Sequence, residues 1–274
     1  ADFSQLTRAG EYQLRVAGVA DSRPFKIAED AYVALNAASI KAFYFNRNSA
    51  ELLAEHAGIY ARPLGHPDTH VLVHASAASA ERPEGTVIAS PKGWYDAGDY
   101  NKYIVNSGIS TYSLLAAYEH FPEFFVGQNL NIPESGDAIP DLLNEVLWNL
   151  EWMLTMQDPH DGGVYHKLTN KRFDGVVMPH EATSERYVVQ KSTAAALDFA
   201  AVMATASRVL AKYEELGFYD KDHDRTGKFC VIDCAVLTKC VKNGPLKMTR
   251  RRKGMGWGIS TQSSEHIKYI DPVL

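Results

Sequence analysis

The stretch that decides the fold runs from Gly93 to Glu119 and reads GWYDAGDYNKYIVNSGISTYSLLAAYE. Near its start, two acidic residues, Asp96 and Asp99, stand on either side of Ala97 and Gly98. Small residues between the acids let the backbone turn tightly, and both carboxylates can then point the same way. The stretch therefore predicts a tight loop that carries a pair of acids.

Aromatic residues surround this acidic turn. Trp94 and Tyr95 lie directly before Asp96, and Tyr100 and Tyr103 follow Asp99. Aromatic faces stack on the apolar faces of sugar rings, while carboxylates bind hydroxyl groups or activate water. The combination predicts a carbohydrate site. Two other interpretations stay open on these residues alone: a solvated turn beside core aromatics fits at least as well, and a calcium site fits less well because further oxygen ligands are not evident nearby.

Four amphipathic helices are predicted on the two sides of this turn. The first begins with Asp30 as its N-cap and continues to about residue 46, and the second covers residues 106–120 and is ended by Pro122. The third covers residues 140–157, and the fourth begins with Ser192 or Thr193 as its cap and ends at Tyr213. The second helix is expected to bury Ile109, Tyr112, Leu115 and Ala116.

Short β-strands are predicted before the helices. Alternation indicates a strand through Tyr12 to Val16 and a second from Arg23 to Ile27. Two strands do not stand alone in water, so residues 1–28 are expected to belong to a small β domain. Residues 58–92 are rich in Pro, Gly, His and Ser, which predicts a long irregular connection, the crossing 58–92, with at most short strands such as Val71 to Val73. The predicted fold class is mainly α, with the site on the loops of a helical barrel or solenoid formed by residues 29–213.

Composition restricts the partners. The formal net charge of −5 argues against nucleic acid, and a run of about 20 apolar residues, as a membrane span requires, is not found. Ala1 to Gly10 lack the pattern of a signal peptide. The expected location is secreted or periplasmic if such a peptide was removed, and cytoplasmic otherwise. No metal or cofactor is expected.

Residues 214–274 differ from the rest of the chain. They hold 11 basic and 8 acidic residues, whereas residues 1–213 hold 17 basic and 25 acidic. All three cysteines, Cys230, Cys234 and Cys240, lie there, and without a well-spaced fourth ligand they predict unrelated thiols rather than a zinc site. Helical periodicity also fades. This tail is expected to be poorly ordered or atypical, as a shifted reading frame or a truncated gene product would be.

The residues 93–119 resemble the N-terminal signature of family 9 glycoside hydrolases. Two further stretches are similar to the same family, IPESGDAIPDLLNEVLWNLEWMLTMQD from Ile132 to Asp158 and DGGVYHKLT from Asp161 to Thr169. Residues 192–213 resemble the helix that follows in the family. Residues 6–28 look like the end of the immunoglobulin-like domain that often precedes its catalytic barrel.

This resemblance implies an (α/α)6 barrel that hydrolyses β-1,4 glycosidic bonds with inversion. Asp99 matches the general base, and Asp96 matches the acid that helps hold the attacking water. An inverting site also needs a general acid, with about 6.5–9.5 Å between the two carboxyl groups, which one short turn cannot supply. In the family this acid is a late glutamate. Glu265, in SSEHIKY, does not resemble its motif and is not assigned.

The remaining candidate ligands of the sugar are Trp94, Tyr95, Tyr100, His166 and Arg186. His166 is as well explained by a loop cap, and Arg186 by a salt bridge. The substrate expected from the resemblance is a β-1,4-glucan, as for a cellulase. Three alternatives stay open: an exo-acting β-glucosaminidase of the same family, a non-catalytic carbohydrate-binding fragment, and a helical scaffold in which the acid pair is only a turn.

Overall fold

Four helices of three or more turns carry the core of the protein. The computed structural model describes residues 2–214, 246–250 and 257–261. All four predicted helices are present. Their bounds, with those of two short helices, are α1 Val33–Phe45, α2 Ala54–Ala57, α3 Ile104–His120, α4 Pro122–Val126, α5 Asp141–Thr155 and α6 Thr193–Glu214.

The caps of these helices agree with the sequence in part. Ser192 caps α6 as predicted, because its Oγ accepts a hydrogen bond from the Ala195 N–H at 3.1 Å. The predicted cap of α1 is wrong. Tyr32 is the N-cap residue and makes no capping hydrogen bond with its side chain. Asp30 instead forms an exposed ion pair with Lys26 at 2.9 Å.

Helix α3 packs between α5 and α6, and this decides which of its faces is buried. Leu115 is buried as predicted, but Ile109 and Tyr112 are 62% and 50% exposed, so the predicted inward face is wrong for them. The buried side is centred on Gly108, Thr111, Leu114, Leu115 and Tyr118. The apolar pattern of this helix is broad, and the positions of its neighbours select the face.

Helix α6 crosses α3 closely at Gly108. A Cβ atom at Gly108 would lie 1.6 Å from Asp198 Oδ2, so a larger residue there would have to displace that carboxylate. Residues 193–213 form a helix long and apolar enough to span a membrane by length and composition alone. Core helices share that property, and Ala195, Phe199 and Ala206 of α6 are fully buried in protein.

A mixed five-stranded sheet lies beside the helices, in the order β4-β3-β7-β6-β5. Its strands are β3 Val71–Val73, β4 Val87–Ile88, β5 Lys102–Tyr103, β6 Lys167–Asn170 and β7 Arg186–Val188. Strands β3 and β7 are parallel, and the other neighbours are antiparallel. The sequence predicted only β3, because strands of two to four residues carry too little alternation to be recognised. Strand β5 connects the acidic turn directly to α3.

The N-terminal strands form a hairpin. Strand β1, Gly10–Tyr12, pairs antiparallel with β2, Phe25–Ile27. The second predicted strand is present in shorter form, whereas the first lies earlier than predicted and shares only Tyr12 with the expected range. In the tail, β8 Leu246–Arg250 pairs with β9 Trp257–Thr261. The three cysteines and Glu265 lie outside the described residues, and the predicted character of residues 214–274 stays a prediction.

Candidate active site

The acidic turn is closed by its own backbone. The Asp96 N–H donates to the Asn101 carbonyl at 2.9 Å, and the Tyr100 N–H donates to the Ala97 carbonyl at 3.1 Å. Tyr100 has a φ of 56°, in the left-handed region. Trp94 and Tyr95 are buried, while Asp96 is exposed and Asp99 is partly buried. The two carboxylates therefore lie at the surface on a base of buried aromatic rings.

Three donors orient the Asp99 carboxylate. The Asn101 backbone N–H lies 3.1 Å from Oδ1, the Asn101 amide Nδ2 lies 2.8 Å from Oδ2, and the Tyr103 hydroxyl donates to Oδ2 at 3.1 Å. Burial, together with the neighbouring Asp99 carboxylate, raises the pKa of Tyr103, so the phenol stays a donor. A carboxylate held in this way can accept a proton from a water molecule in one fixed direction.

Asp96 borders an open pocket of about 150 Å³. The Asn106 amide Nδ2, from the first turn of α3, donates to Asp96 Oδ1 at 2.9 Å. The Trp94 ring packs 4.6 Å from the Phe43 ring in the same wall. The wall combines aromatic surface with hydroxyl and amide groups and is formed by Phe43, Asn46, Trp94, Tyr95, Asp96, Tyr103, Asn106, Ser107 and Ser110.

A buried ion pair supports Trp94 from below. Arg47, 1% exposed, pairs with Glu145 at 2.7 Å and with Glu134 at 2.9 Å. The Trp94 Nε1 lies 3.4 Å from Glu145 Oε2, and the Arg47 guanidinium lies 4.4 Å from the centre of the Trp148 ring. Complete burial raises the pKa of Glu145 to about 7 against the attraction of Arg47.

A second buried network lies behind the turn and is centred on Asp68. This carboxylate contacts Lys102 Nζ at 2.9 Å, Arg186 Nε at 3.1 Å and Asn48 Nδ2 at 2.6 Å. Burial opposes the charge of Asp68, but Lys102 and Arg186 outweigh it and lower the pKa of Asp68. Burial also lowers the pKa of Lys102 to about 7, against the attraction of Asp68.

His66 connects this network to the aromatic rings. Its Nδ1 lies 2.9 Å from the Tyr95 hydroxyl, and its ring centre lies 5.6 Å from that of Tyr100. Burial, with a further contribution from Arg186, lowers the pKa of His66 to about 4, so the ring is neutral near pH 7.

Comparison with known proteins identifies the family of the chain. The family model described as "Glycosyl hydrolase family 9" matches residues 32–217, which is more than half of the chain. The chain belongs to glycosyl hydrolase family 9. Among the curated proteins, it is 54% identical over 214 residues to a xyloglucan-specific endo-β-1,4-glucanase of Bacteroides ovatus, covering 78% of this chain and 36% of that protein. It is 34% identical over 261 residues to endoglucanase D of Acetivibrio thermocellus, covering 94% of this chain and 39% of that protein.

Solved structures agree with this assignment. A Bacteroides ovatus family 9 protein superposes with a TM-score of 0.78 at 50% identity, covering 88% of this chain and 42% of that one. A thermostable endoglucanase from Alicyclobacillus acidocaldarius superposes with a TM-score of 0.74 at 26% identity, covering 88% and 42%. The chain thus spans less than half the length of these relatives.

The structure brings most of the predicted site residues of this family 9 chain together. The guanidinium of Arg186 on β7, a residue that is 6% exposed, pairs with Asp68 and donates to the Tyr100 carbonyl at 2.8 Å. The Tyr100 hydroxyl donates to the Val177 carbonyl. His166 does not line the pocket: its Nδ1 contacts Ser192 Oγ at 3.0 Å, and its backbone pairs with Ile104, which follows Tyr103, and with Gln190. Sugar binding by these residues stays a prediction.

Sequence reasoning missed several residues of the site. Asn101, Lys102 and Asn106 stand inside the quoted stretch, but polar residues in a loop and on a helix carry no distinguishing pattern. His66 and Asp68 lie in the turn-rich crossing 58–92, and nothing local indicated that they approach the acidic turn. An unusual run of Gly, His, Pro and Asp from residue 65 to residue 68 was the available signal.

Proposed function

We propose that this chain carries the base side of an inverting β-1,4-glucanase site, with Asp99 as the general base and Asp96 as the second acid that holds the attacking water. The supporting observation is the fixed orientation of the Asp99 carboxylate by Asn101 and Tyr103, next to an aromatic-lined pocket that Asp96 borders. In this reaction the base removes a proton from water while water attacks the anomeric carbon.

The proposed substrate is a β-1,4-linked glucan, and the names of the relatives support this class. The Bacteroides ovatus relative is named for xyloglucan, and the Acetivibrio thermocellus relative is named an endoglucanase. Trp94 and Tyr95 are only 5% and 6% exposed, so a sugar could reach no more than the edges of their rings. We propose that these edges and the exposed carboxylate of Asp96 contact a sugar. Tyr100, His166 and Arg186 stay candidates for contacts further along the chain of sugars.

The general acid is proposed to come from a later segment of a longer protein. Asp96 and Asp99 share one short turn and so cannot take the opposite sides of the bond that inversion requires. We infer in the same way that α1, α3, α5 and α6 are the first helices of an (α/α)6 barrel, and that β1 and β2 end an immunoglobulin-like domain.

The test is Asp99→Asn in a protein that contains this chain and the remainder of the barrel. An amide cannot accept the proton, so kcat should fall about 10²–10⁴-fold while binding of a β-1,4-glucan oligosaccharide is retained. The matched control is Asp161→Asn, since Asp161 is also a turn acid that accepts an N–H from the residue two positions later, at 2.8 Å.

Three outcomes would count against the proposal. Near-normal turnover by Asp99→Asn would remove the assigned base. Retention of anomeric configuration in the product, followed by NMR, would exclude inversion. Cleavage of chitosan oligomers in preference to glucans, with release of single terminal units, would favour the β-glucosaminidase alternative.

A further inference from the structure

One buried carboxylate is connected to both ends of the segment that carries the two acids. Lys102 Nζ donates to the Ser90 carbonyl at 2.9 Å and to the Lys92 carbonyl at 2.7 Å, at the start of this segment. Arg186 Nη1 donates to the Tyr100 carbonyl at 2.8 Å, at its end. Both cations meet at Asp68, so a single anion connects the two anchor points.

Because this network is buried, Lys102 and Arg186 depend on the Asp68 carboxylate as their charge partner. The Lys102 side chain is 0% exposed, and those of Asp68 and Arg186 are 2% and 6% exposed. A buried charge is strongly unfavourable unless it is paired and hydrogen-bonded. Without the carboxylate, the pKa of Lys102 would fall further beside the Arg186 charge, so Lys102 would tend to lose its proton and the two anchor points would lose their common support.

The backbone around the network is held in an unfavourable conformation. His66, Asp68, Lys92 and Tyr100 have φ angles of 46°, 49°, 64° and 56°, although none is glycine. Left-handed conformations of this kind persist where the surroundings over-determine them, and they cluster at functional sites. Here, hydrogen bonds from Lys102 to the Lys92 carbonyl and from Arg186 to the Tyr100 carbonyl hold two of these residues in place.

We propose that Asp68 is a positioning residue for Asp96 and Asp99, acting through Lys102 and Arg186. This inference rests on the proposed function. If Asp99 is the general base, the turn must be rigid, because a base displaced by about 1 Å loses roughly 10²-fold in rate. It also gives Arg186 a role other than the sugar contact that the sequence predicts. Its Nη1 donates to the backbone of the turn.

The first test measures hydrogen exchange in this chain. In Asp68→Asn, the amides of Asp96 and Tyr100, which close the turn, should exchange at least about tenfold faster. The matched control is Asp158→Asn. Asp158 is also a fully buried carboxylate between two cations, Lys191 at 2.6 Å and Arg82 at 3.7 Å, but it lies outside this network. Unchanged exchange at the turn in Asp68→Asn, or equal acceleration in the control, would overturn the proposal.

Arg186→Lys covers the case in which Asp68→Asn does not fold. Lysine keeps a cation for Asp68 but cannot also reach the Tyr100 carbonyl with a second nitrogen. The same two amides should exchange faster, to a smaller extent. Unchanged exchange in this variant, with a melting temperature close to that of the unsubstituted chain, would again contradict a positioning role.

The second test reads the reaction in a protein that hydrolyses glucan. Arg186→Lys should lower kcat by about tenfold and leave KM within about twofold, because positioning acts on the transition state. A raised KM with unchanged kcat would indicate a direct sugar contact and would refute the inference. Failure of the proposed function is seen separately, in Asp99→Asn, because the exchange experiment needs no substrate.

Discussion

At the scale of single residues, the Tyr103 hydroxyl tests how firmly Asp99 must be held. It supplies one of three donors to the carboxylate. A hydrogen bond to a charged group is worth about 1.5–3 kcal/mol. In a protein that contains this chain and the remainder of the barrel, Tyr103→Phe should therefore lower kcat by about 10–100-fold with little change in KM, as measured by steady-state kinetics on a soluble β-glucan.

The control for Tyr103 is Tyr112→Phe. Tyr112 lies on α3, the helix that begins directly after Tyr103, but it is 50% exposed. Removal of its hydroxyl should leave kcat unchanged. If both variants lose the same activity, or if Tyr103→Phe loses none, the role given to the Tyr103 hydroxyl is wrong.

His66 predicts how stability depends on pH. Its pKa falls from 6.5 to about 4 on folding, so the unfolded chain takes up its proton first. Above pH 6.5 His66 is neutral in both states and costs no stability. As the pH falls from 6.5 toward 4, the unfolded chain binds the proton and the folded chain does not, so the free energy of unfolding decreases. By linkage this decrease amounts to at most about 3 kcal/mol.

The measurement is urea unfolding of the wild-type chain and of His66→Asn at pH 7 and pH 4.5. Asparagine tolerates the left-handed backbone of this position. The variant should lose less stability between the two pH values than the wild type does. The exposed His70, changed to Asn, is the control and should follow the wild type; an identical pH dependence for His66→Asn would contradict the burial argument.

At the scale of secondary-structure elements, the crossing of α3 and α6 depends on Gly108. Alanine favours a helix by about 1 kcal/mol over glycine, but here its Cβ would overlap the Asp198 carboxylate. We expect Gly108→Ala to destabilise the chain by about 1–3 kcal/mol in spite of this propensity. Thermal or urea unfolding measures the change.

Asp198 provides the compensating variant. Burial raises its pKa to about 6, and its Oδ2 has no hydrogen-bond partner among the described residues. Asp198→Ala alone should be neutral or stabilising at pH 7. The double variant should recover most of the stability lost in Gly108→Ala, and additive losses would show that the two residues do not compete for the same space.

At the scale of the whole molecule, this chain alone is expected to hydrolyse glucans very slowly or not at all. It spans 36% and 39% of two curated relatives, and a matched general acid is not found in it. Loss of leaving-group protonation is worth about 10²–10⁴-fold. Reducing-sugar release from cello-oligosaccharides by the purified chain measures this. Turnover at the rate of full-length family 9 enzymes would refute the inference that this chain lacks the general acid.

Local properties were sufficient to predict much of this protein. Helical periodicity and the positions of Pro122, Pro140 and Ser192 predicted the four long helices to within a few residues. The acidic turn was recognised because small residues and aromatic rings around two acids form a short contiguous pattern. Information of this kind lies within one or two turns of chain, so it is available before the chain folds.

Only the tertiary structure decided which surfaces meet. The face of α3 with Ile109 was predicted to be buried, but α5 and α6 pack on the opposite side. Asp68, Lys102 and Arg186 come from three separate segments that the five-stranded sheet brings together. Neither result is encoded in a local period, because each depends on long-range strand pairing and on the volume left by neighbouring helices. The acidic turn is therefore predictable from sequence, whereas the network that supports it is not.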